Sequence, residues 1–310
     1  MLGGLASLRV TIIGLGLIGG SLGQSLIESS AVSRVIGVDL EQTILDKALS
    51  KKAIHWGTAD PVTACRDADI VILATPLRTM PVVAEKTLPH LKPGAIITDL
   101  GGAKQFMYNS MAKLLSSPAC EKVDIAYAGC HPLTGTERSG IDAAEPDLFQ
   151  GRYFVICPPV FNEACGRRGF RTDPIDILSN MANSIGAIPL YVDPAEHDLI
   201  CAFTSHVEHL LAVSLLDGLN SISQSHPTAL KMAAGSFKDA TRVASSNPEM
   251  VTDMLITNAA ETKKGLSLLI EKLTSVASLV ESGDVAALKQ HLYAAKALRD
   301  LIFGKMAEDI

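Results

Sequence analysis

The β-branched run Arg9 to Ile13 ends in Gly14-Leu15-Gly16-Leu17-Ile18-Gly19, and Gly20 to Glu28 then has the composition of a helix. A strand that passes through three spaced glycines into a helix is the opening unit of a doubly wound parallel sheet, and it constrains the fold more than any other feature of the chain. Gly14 permits the tight turn, Gly16 lets the backbone approach a pyrophosphate, and Gly19 allows close helix-to-strand packing. The phosphates then rest on the amides that open the helix, those of Leu17 and Ile18 among them. A second β-rich run, Arg34 to Asp39, ends in a carboxylate 20 residues after Gly19, where it can accept both ribose hydroxyls. A 2′-phosphate would meet a like charge there, and no Arg or Lys occupies the next few positions. The expected cofactor is NAD rather than NADP.

Short apolar runs continue to alternate with helical stretches as far as Val192: Ile70 to Ala74, Ala95 to Thr98, Ile125 to Gly129, Tyr153 to Ile156 and Ile188 to Val192. Ligands of doubly wound sheets bind at strand C-termini, so the loops Thr75-Pro76 and Asp99-Leu100-Gly101-Gly102-Ala103-Lys104 are expected to line the nicotinamide half of the cleft. Thr75, Pro76, Asp99 and Gly101 are its candidates. From Pro194 onward the pattern is helical, and Asp193-Pro194 followed by Glu196 has the composition of a helix cap. The predicted architecture is an α/β, Rossmann-type doubly wound parallel sheet in residues 1–192, followed by an all-α substrate and dimerisation domain in residues 193–310. Asn162 to Arg171, polar and glycine-containing, is predicted to be a surface loop.

Composition removes several classes of function. With 47% hydrophobic and 19% charged residues over 310 positions, the chain must bury a large core. A formal charge of -6 offers no basic excess for a phosphate backbone, so nucleic acid is not an expected partner. The six cysteines form no CxxC and no zinc-type cluster, and they are read as reduced thiols in a cytoplasm, with no metal site. Val10 to Ile27 is uncharged for 18 residues, yet its glycines fit a strand, loop and helix better than a membrane span.

The fifth β-rich run leads into Cys130-His131-Pro132, and a histidine at a strand end facing a nicotinamide is suited to take a hydroxyl proton as hydride leaves the same carbon. Cys130 beside it reads as a small buried hydrophobe. Five segments then occur in a specific order: GLGLIG, ITDLGGAK (Ile97 to Lys104), HPLTGTERSG (His131 to Gly140), TSHVEH (Thr204 to His209) and GSFKDATR (Gly235 to Arg242). In this the chain resembles the prephenate and arogenate dehydrogenase family of tyrosine biosynthesis, over nearly its whole length. The resemblance implies an NAD-binding first half, a helical second half that forms a homodimer, and a substrate held between them. It also implies that His131 is the catalytic histidine, with Thr136, Glu137, His206, His209, Lys238 and Arg242 around the substrate. Prephenate carries two carboxylates, and Lys238 and Arg242, four apart, are expected on one helical face to meet them. His197, His226 and His291 are left as structural or exposed positions.

Three departures from the family pattern bear on the substrate. Gly102 stands where many members carry a serine, Val251 where an aromatic residue is frequent, and Glu208 where a proline precedes the second helical histidine. The expected activity is NAD-dependent oxidative decarboxylation of prephenate. The alternatives are arogenate (cyclohexadienyl) dehydrogenase activity giving tyrosine, or an NAD-responsive regulator without turnover.

Overall fold

The computed structural model describes residues 5–120, 124–136, 138–161 and 173–304. The predicted loop Asn162 to Arg171, with Cys165 in it, and Glu137 lie outside the described residues. In chain order the first part comprises β1 (Arg9–Ile13), α1 (Leu17–Glu28), β2 (Arg34–Val38), α2 (Gln42–Ser50), β3 (Trp56–Thr58), α3 (Pro61–Cys65), β4 (Ile70–Leu73) and α4 (Met80–Thr87). There follow β5 (Ala95–Asp99), α5 (Lys104–Leu115), β6 (Ile125–Tyr127), β7 (Cys130–Pro132), β8 (Tyr153–Ile156), β9 (Val160–Phe161), α6 (Pro174–Ser184) and β10 (Ile188–Tyr191).

Among the described residues the main sheet runs β3-β2-β1-β4-β5-β6-β9, parallel except for β9, which lies antiparallel to β6. This is the doubly wound order, with its reversal between β1 and β4 beside the glycine loop. Strand alternation sends Ile12 and Ile72 into one buried layer with Leu22 and Leu26 of α1. Val71 and Leu73 enter the opposite layer with Met107 and Met111 of α5. Both faces are covered, which is why β4 reads as an unbroken apolar run.

The structure corrects one expectation here. Tyr153 to Ile156 and Ile188 to Val192 do not extend the main sheet; β8 and β10 form a second, three-stranded sheet with β7. The run expected to continue to Gly129 stops at Tyr127. The Gly129 amide donates to the Tyr108 hydroxyl at 3.1 Å, and its carbonyl accepts from the Cys157 amide at 2.9 Å. A Cβ at Gly129 would come within about 3 Å of Tyr108, Lys104 and the Tyr127 hydroxyl, so only glycine lets the chain pass and restart as β7. His131 therefore sits on the second sheet.

Asp193 caps α7 (Pro194–Cys201) as expected, its carboxylate accepting from the Ala195 amide at 2.8 Å. A π-helical turn, Ala202–His206, joins α7 to α8 (Val207–Ser223). The whole run Pro194–Ser223 is long and apolar enough to cross a membrane by length and composition alone. His197, Asp198 and His206 within it are buried and hydrogen-bonded inside the protein. Short helices α9 (Ala229–Met232) and α10 (Gly235–Ala240) precede α11 (Pro248–Thr257), α12 (Ala259–Ser282) and α13 (Val285–Phe303). Residues 1–262 form one compact unit and residues 263–310 a second. In the second unit Gly283, at φ +64°, turns the chain between α12 and α13, and Asp284 caps α13 through the Ala287 amide.

Candidate active site

The glycine loop has the geometry its spacing implies. Gly14 has φ +98°, and a Cβ there would lie 2.7 Å from the Ala74 backbone; at Gly19 it would lie 2.1 Å from the Gly14 carbonyl oxygen. At Gly16 a Cβ would meet nothing within 4 Å. That open space fronts the start of α1, where no side chain caps the helix and the first helical bond runs from the Gly20 amide to Gly16. The amides of Leu17, Ile18 and Gly19 precede that bond, so they are placed to receive an anion. Asp39 follows β2 and is half-buried; its two oxygens accept from the amides of Leu15, at 3.1 Å, and Glu41, at 3.3 Å. These bonds hold the carboxylate beside the loop. A dinucleotide therefore fits these residues: open backbone for the pyrophosphate and an anchored anion for the ribose.

The loop after β4 carries Thr75 and Pro76, and the Thr75 hydroxyl accepts from Thr79 at 3.0 Å. Arg78 in the same turn bonds the buried carboxylate of Asp253 on α11. The loop after β5 departs from expectation. Asp99 is fully buried, and its carboxylate takes the Lys104 ammonium at 2.5 Å, the Tyr127 hydroxyl at 2.6 Å and the Gly101 amide at 2.8 Å. No face of Asp99 is open to a cofactor, which corrects its assignment as a cofactor ligand. Its role is to hold Lys104, itself fully buried, whose ammonium also donates to the Cys130 carbonyl at 2.6 Å. Burial and the Asp99 charge push the Tyr127 hydroxyl well above its usual range, so Tyr127 remains a donor. Burial raises the Cys130 thiol to about 12, which keeps it protonated and fits its reading as a packed hydrophobe.

This network fixes the strand that carries His131. The imidazole is half-buried, and its Nε2 and Cε1 lie on the side of Gly102, each 3.8 Å from where a Cβ would stand. Burial, with the neighbouring His197, Lys104 and His206, holds His131 well below the usual histidine range. It is neutral at neutral pH and able to accept a proton. Its Nδ1 lies 2.9 Å from His197 Nε2, and His197 Nδ1 lies 2.8 Å from Asp198. His131, His197 and Cys201 bring three ligand-type atoms within 4.8 Å of one another. Two nitrogens on a tetrahedral zinc stand about 3.3 Å apart, so the 2.9 Å His131–His197 separation is that of a hydrogen bond.

The other sequence candidates are more dispersed. His206 is 1% exposed, with Nδ1 at 3.1 Å from the Thr262 hydroxyl and 3.4 Å from the Asn258 amide nitrogen. It is a packed residue without open surface for substrate, which corrects its assignment as a direct contact. His209 is half-buried and donates through Nδ1 to the Ser205 carbonyl at 2.9 Å, which leaves its Nε2 as the acceptor of the neutral ring. Thr136 is exposed and accepts from the Arg138 amide. Lys238 and Arg242 are exposed but do not share one helix: α10 ends at Ala240, and Arg242 opens a separate 3-10 turn. Thr241, β-branched and at φ −109°, ψ 5°, interrupts the face that their spacing suggested.

Burial drives the His206 imidazole down to about 4. In the unfolded chain a histidine titrates near 6.5, so between pH 6.5 and 4 the unfolded state binds a proton that the folded state does not, and stability falls with pH across that window. At pH 5 the loss from His206 amounts to about 2 kcal/mol. Urea denaturation at pH 7.5 and pH 5 is expected to show it, with a smaller difference in His206→Asn; equal pH dependence in both proteins would contradict the assignment.

The family model for the prephenate dehydrogenase nucleotide-binding domain matches residues 22–164, and that for the prephenate dehydrogenase dimerization domain matches residues 193–294. A cyclohexadienyl dehydrogenase from Zymomonas mobilis is 31% identical over 287 residues, covering 91% of this chain and 92% of its own length. The chain belongs to the prephenate dehydrogenase family. Prephenate dehydrogenase from Bacillus subtilis is 28% identical over 294 residues, covering 94% of this chain and 75% of the relative. The solved structure of Aquifex aeolicus prephenate dehydrogenase, in complex with hydroxyphenyl propionate and NAD+, has a TM-score of 0.84 at 26% identity, covering 96% of this chain and 99% of that one. The chain is thus an oxidoreductase of this family. Both matched segments carry parts of the His131 cluster, with Lys104 and His131 in the first and His197 and Asp198 in the second. Lys104, Tyr127 and Asp198 were not singled out by sequence reasoning, and His197 was left as a structural or exposed position.

Proposed function

We propose that this protein is an NAD-dependent prephenate dehydrogenase, converting prephenate to 4-hydroxyphenylpyruvate and carbon dioxide in tyrosine biosynthesis. The observation that carries this reading is the neutral His131 imidazole, its Nε2 side turned to Gly102 beside a dinucleotide-binding sheet. The Aquifex relative was solved with a hydroxyphenyl acid and NAD+, a pairing that matches an aromatised product beside the cofactor. NAD, bound along the glycine loop with its ribose on Asp39, supplies the hydride acceptor. His131 Nε2 takes the proton of the C4 hydroxyl. Loss of the C1 carboxylate as carbon dioxide sends its electron pair through the ring to the C4 oxygen, and His131 returns the proton there to give the phenol. Arg242 and Lys238 are the cations proposed for the substrate carboxylates, with Thr136, Glu137 and His209 on the same substrate. His206 acts only as packing behind them.

The proposed division is residues 1–192 for NAD and 193–310 for substrate and dimerisation. Apolar side chains stand exposed along the second part, among them Leu215 and Ile222 on α8 and Tyr293 and Phe303 on α13. A second copy of the chain is the partner proposed to cover them in a cytoplasmic homodimer.

Asp39→Ala is expected to weaken NAD binding and bring it close to that of NADP, measured by titration of both cofactors; tighter NADP binding by the unaltered protein would contradict the cofactor assignment.

Arogenate is the second reading, favoured by the relatedness to a cyclohexadienyl dehydrogenase. Its ammonium group requires a desolvated anion or several acceptors. Glu208, the unusual acid of the helical motif, is exposed rather than desolvated, which supports prephenate as the better substrate. Specificity constants for NADH formation with the two compounds, in the unaltered protein and in Glu208→Gln, provide the test. Prephenate is expected to lead in both. A tenfold preference for arogenate that disappears in Glu208→Gln would reverse the choice.

A further inference from the structure

His131 and His197 lie 66 residues apart, on a strand of the second sheet and on α7, yet their rings meet at 2.9 Å between Nδ1 and Nε2. The direction of that bond follows from what stands behind it. His197 Nδ1 is 2.8 Å from an Asp198 carboxylate oxygen, and a carboxylate only accepts, so Nδ1 carries the proton. With that single proton on the ring, Nε2 is bare and accepts. His131 must therefore donate from Nδ1, and its own lone pair is left on Nε2, the atom turned toward Gly102. Cys201 agrees with this polarity: its thiol sulfur lies 3.4 Å from His197 Nε2, and burial raises that thiol to about 11, so it stays a donor. The Asp198 carboxylate also accepts from the amides of Lys104, at 2.7 Å, and Gln105, at 2.9 Å, which open α5.

We infer that His197, oriented by Asp198, is the positioning residue that sets the tautomer of His131 and presents its Nε2 lone pair to the substrate hydroxyl. The inference rests on the reading of His131 as the proton acceptor. Once His131 is protonated, its Nδ1–H bond to His197 becomes charge-assisted, and the Asp198 carboxylate stands at the far end of the same chain. The site keeps the resting imidazole neutral, and the His197 contact keeps the ring in place when it takes the proton. Besides His197 and Cys201, the titratable groups around His131 are Lys104 on α5 and His206 on the π turn. Like His197, both disfavour a positive His131, so the role of the His197 contact is to fix the tautomer and orientation of the neutral ring.

Asp198 also caps α5, so its removal would disturb the fold; His197 is the site to vary. His197→Leu removes the acceptor, whereas His197→Gln keeps a carbonyl oxygen able to take the His131 Nδ1 proton. In the assembled enzyme with prephenate and NAD+, His197→Leu is expected to lower kcat roughly 10–100-fold, the range for outer partners that orient a functional histidine. KM for prephenate and NAD+ affinity should change little, the acidic limb of the kcat–pH profile should move, and His197→Gln should recover most of the loss. Nitrogen NMR of the His131 ring should show Nδ1 protonated and Nε2 bare in the unaltered protein, and a mixture of tautomers in His197→Leu. A His197→Leu enzyme with unaltered kcat and pH profile would overturn the inference, as would equal impairment of both variants accompanied by equal loss of melting temperature. If instead His131→Asn retained full turnover while the ring of His131 showed the Nδ1–H tautomer, the proton-acceptor reading would fail and the structural assignment of the bond would stand.

Discussion

His131→Asn is expected to lower turnover with prephenate about a hundredfold or more, the contribution of a positioned general base, while leaving NAD+ affinity nearly unchanged. The split follows from the geometry. The groups proposed for NAD lie at the glycine loop and Asp39, whereas His131 stands on the second sheet with its Nε2 turned to Gly102. Asparagine keeps a polar side chain but has no basic nitrogen for the C4 hydroxyl proton. Steady-state kinetics with cofactor titration reads both quantities, and turnover that survived the substitution would place the proton on another group.

Lys104→Met is expected to produce the largest loss of stability. Lys104 and Asp99 are both 0% exposed and meet at 2.5 Å, so methionine leaves a carboxylate buried without its counter-charge. Breaking such a pair costs about 3–5 kcal/mol, a large share of a typical total of about 5–15 kcal/mol. The melting temperature should fall by roughly 6–10 °C. Because the same ammonium holds the Cys130 carbonyl next to His131, turnover should fall as well. The double variant Asp99→Asn, Lys104→Met removes both charges and should recover much of the stability. A single variant that melts with the unaltered protein would show that the pair contributes nothing net.

These two residues also mark how far the sequence could be read. The features legible in it were those carried by neighbours along the chain: the Gly14 to Gly19 turn, Asp39 after β2, and the Asp193 cap, followed by proline. Chemistry between distant residues was not legible. Asp99 had the position of a cofactor ligand, but the ammonium that neutralises it and the hydroxyl of Tyr127 reach it only after the sheet has formed. His197 looked like an ordinary helix residue because its partner, 66 residues away, is on a strand of the second sheet. In the other direction, the four-residue spacing of Lys238 and Arg242 promised a shared face that Thr241 breaks. β7 was hidden inside the preceding run because the packing that forces Gly129 out of the main sheet is tertiary.

The dinucleotide loop and His131 are proposed to carry out the oxidative decarboxylation of prephenate together. The most direct measurement follows NADH and carbon dioxide simultaneously after prephenate is added to the protein with NAD+. One equivalent of each is expected per prephenate consumed, formed at the same rate and abolished together in His131→Asn. Saturable NAD+ binding with neither product formed from prephenate or arogenate would contradict it and identify a dinucleotide-responsive binding protein instead.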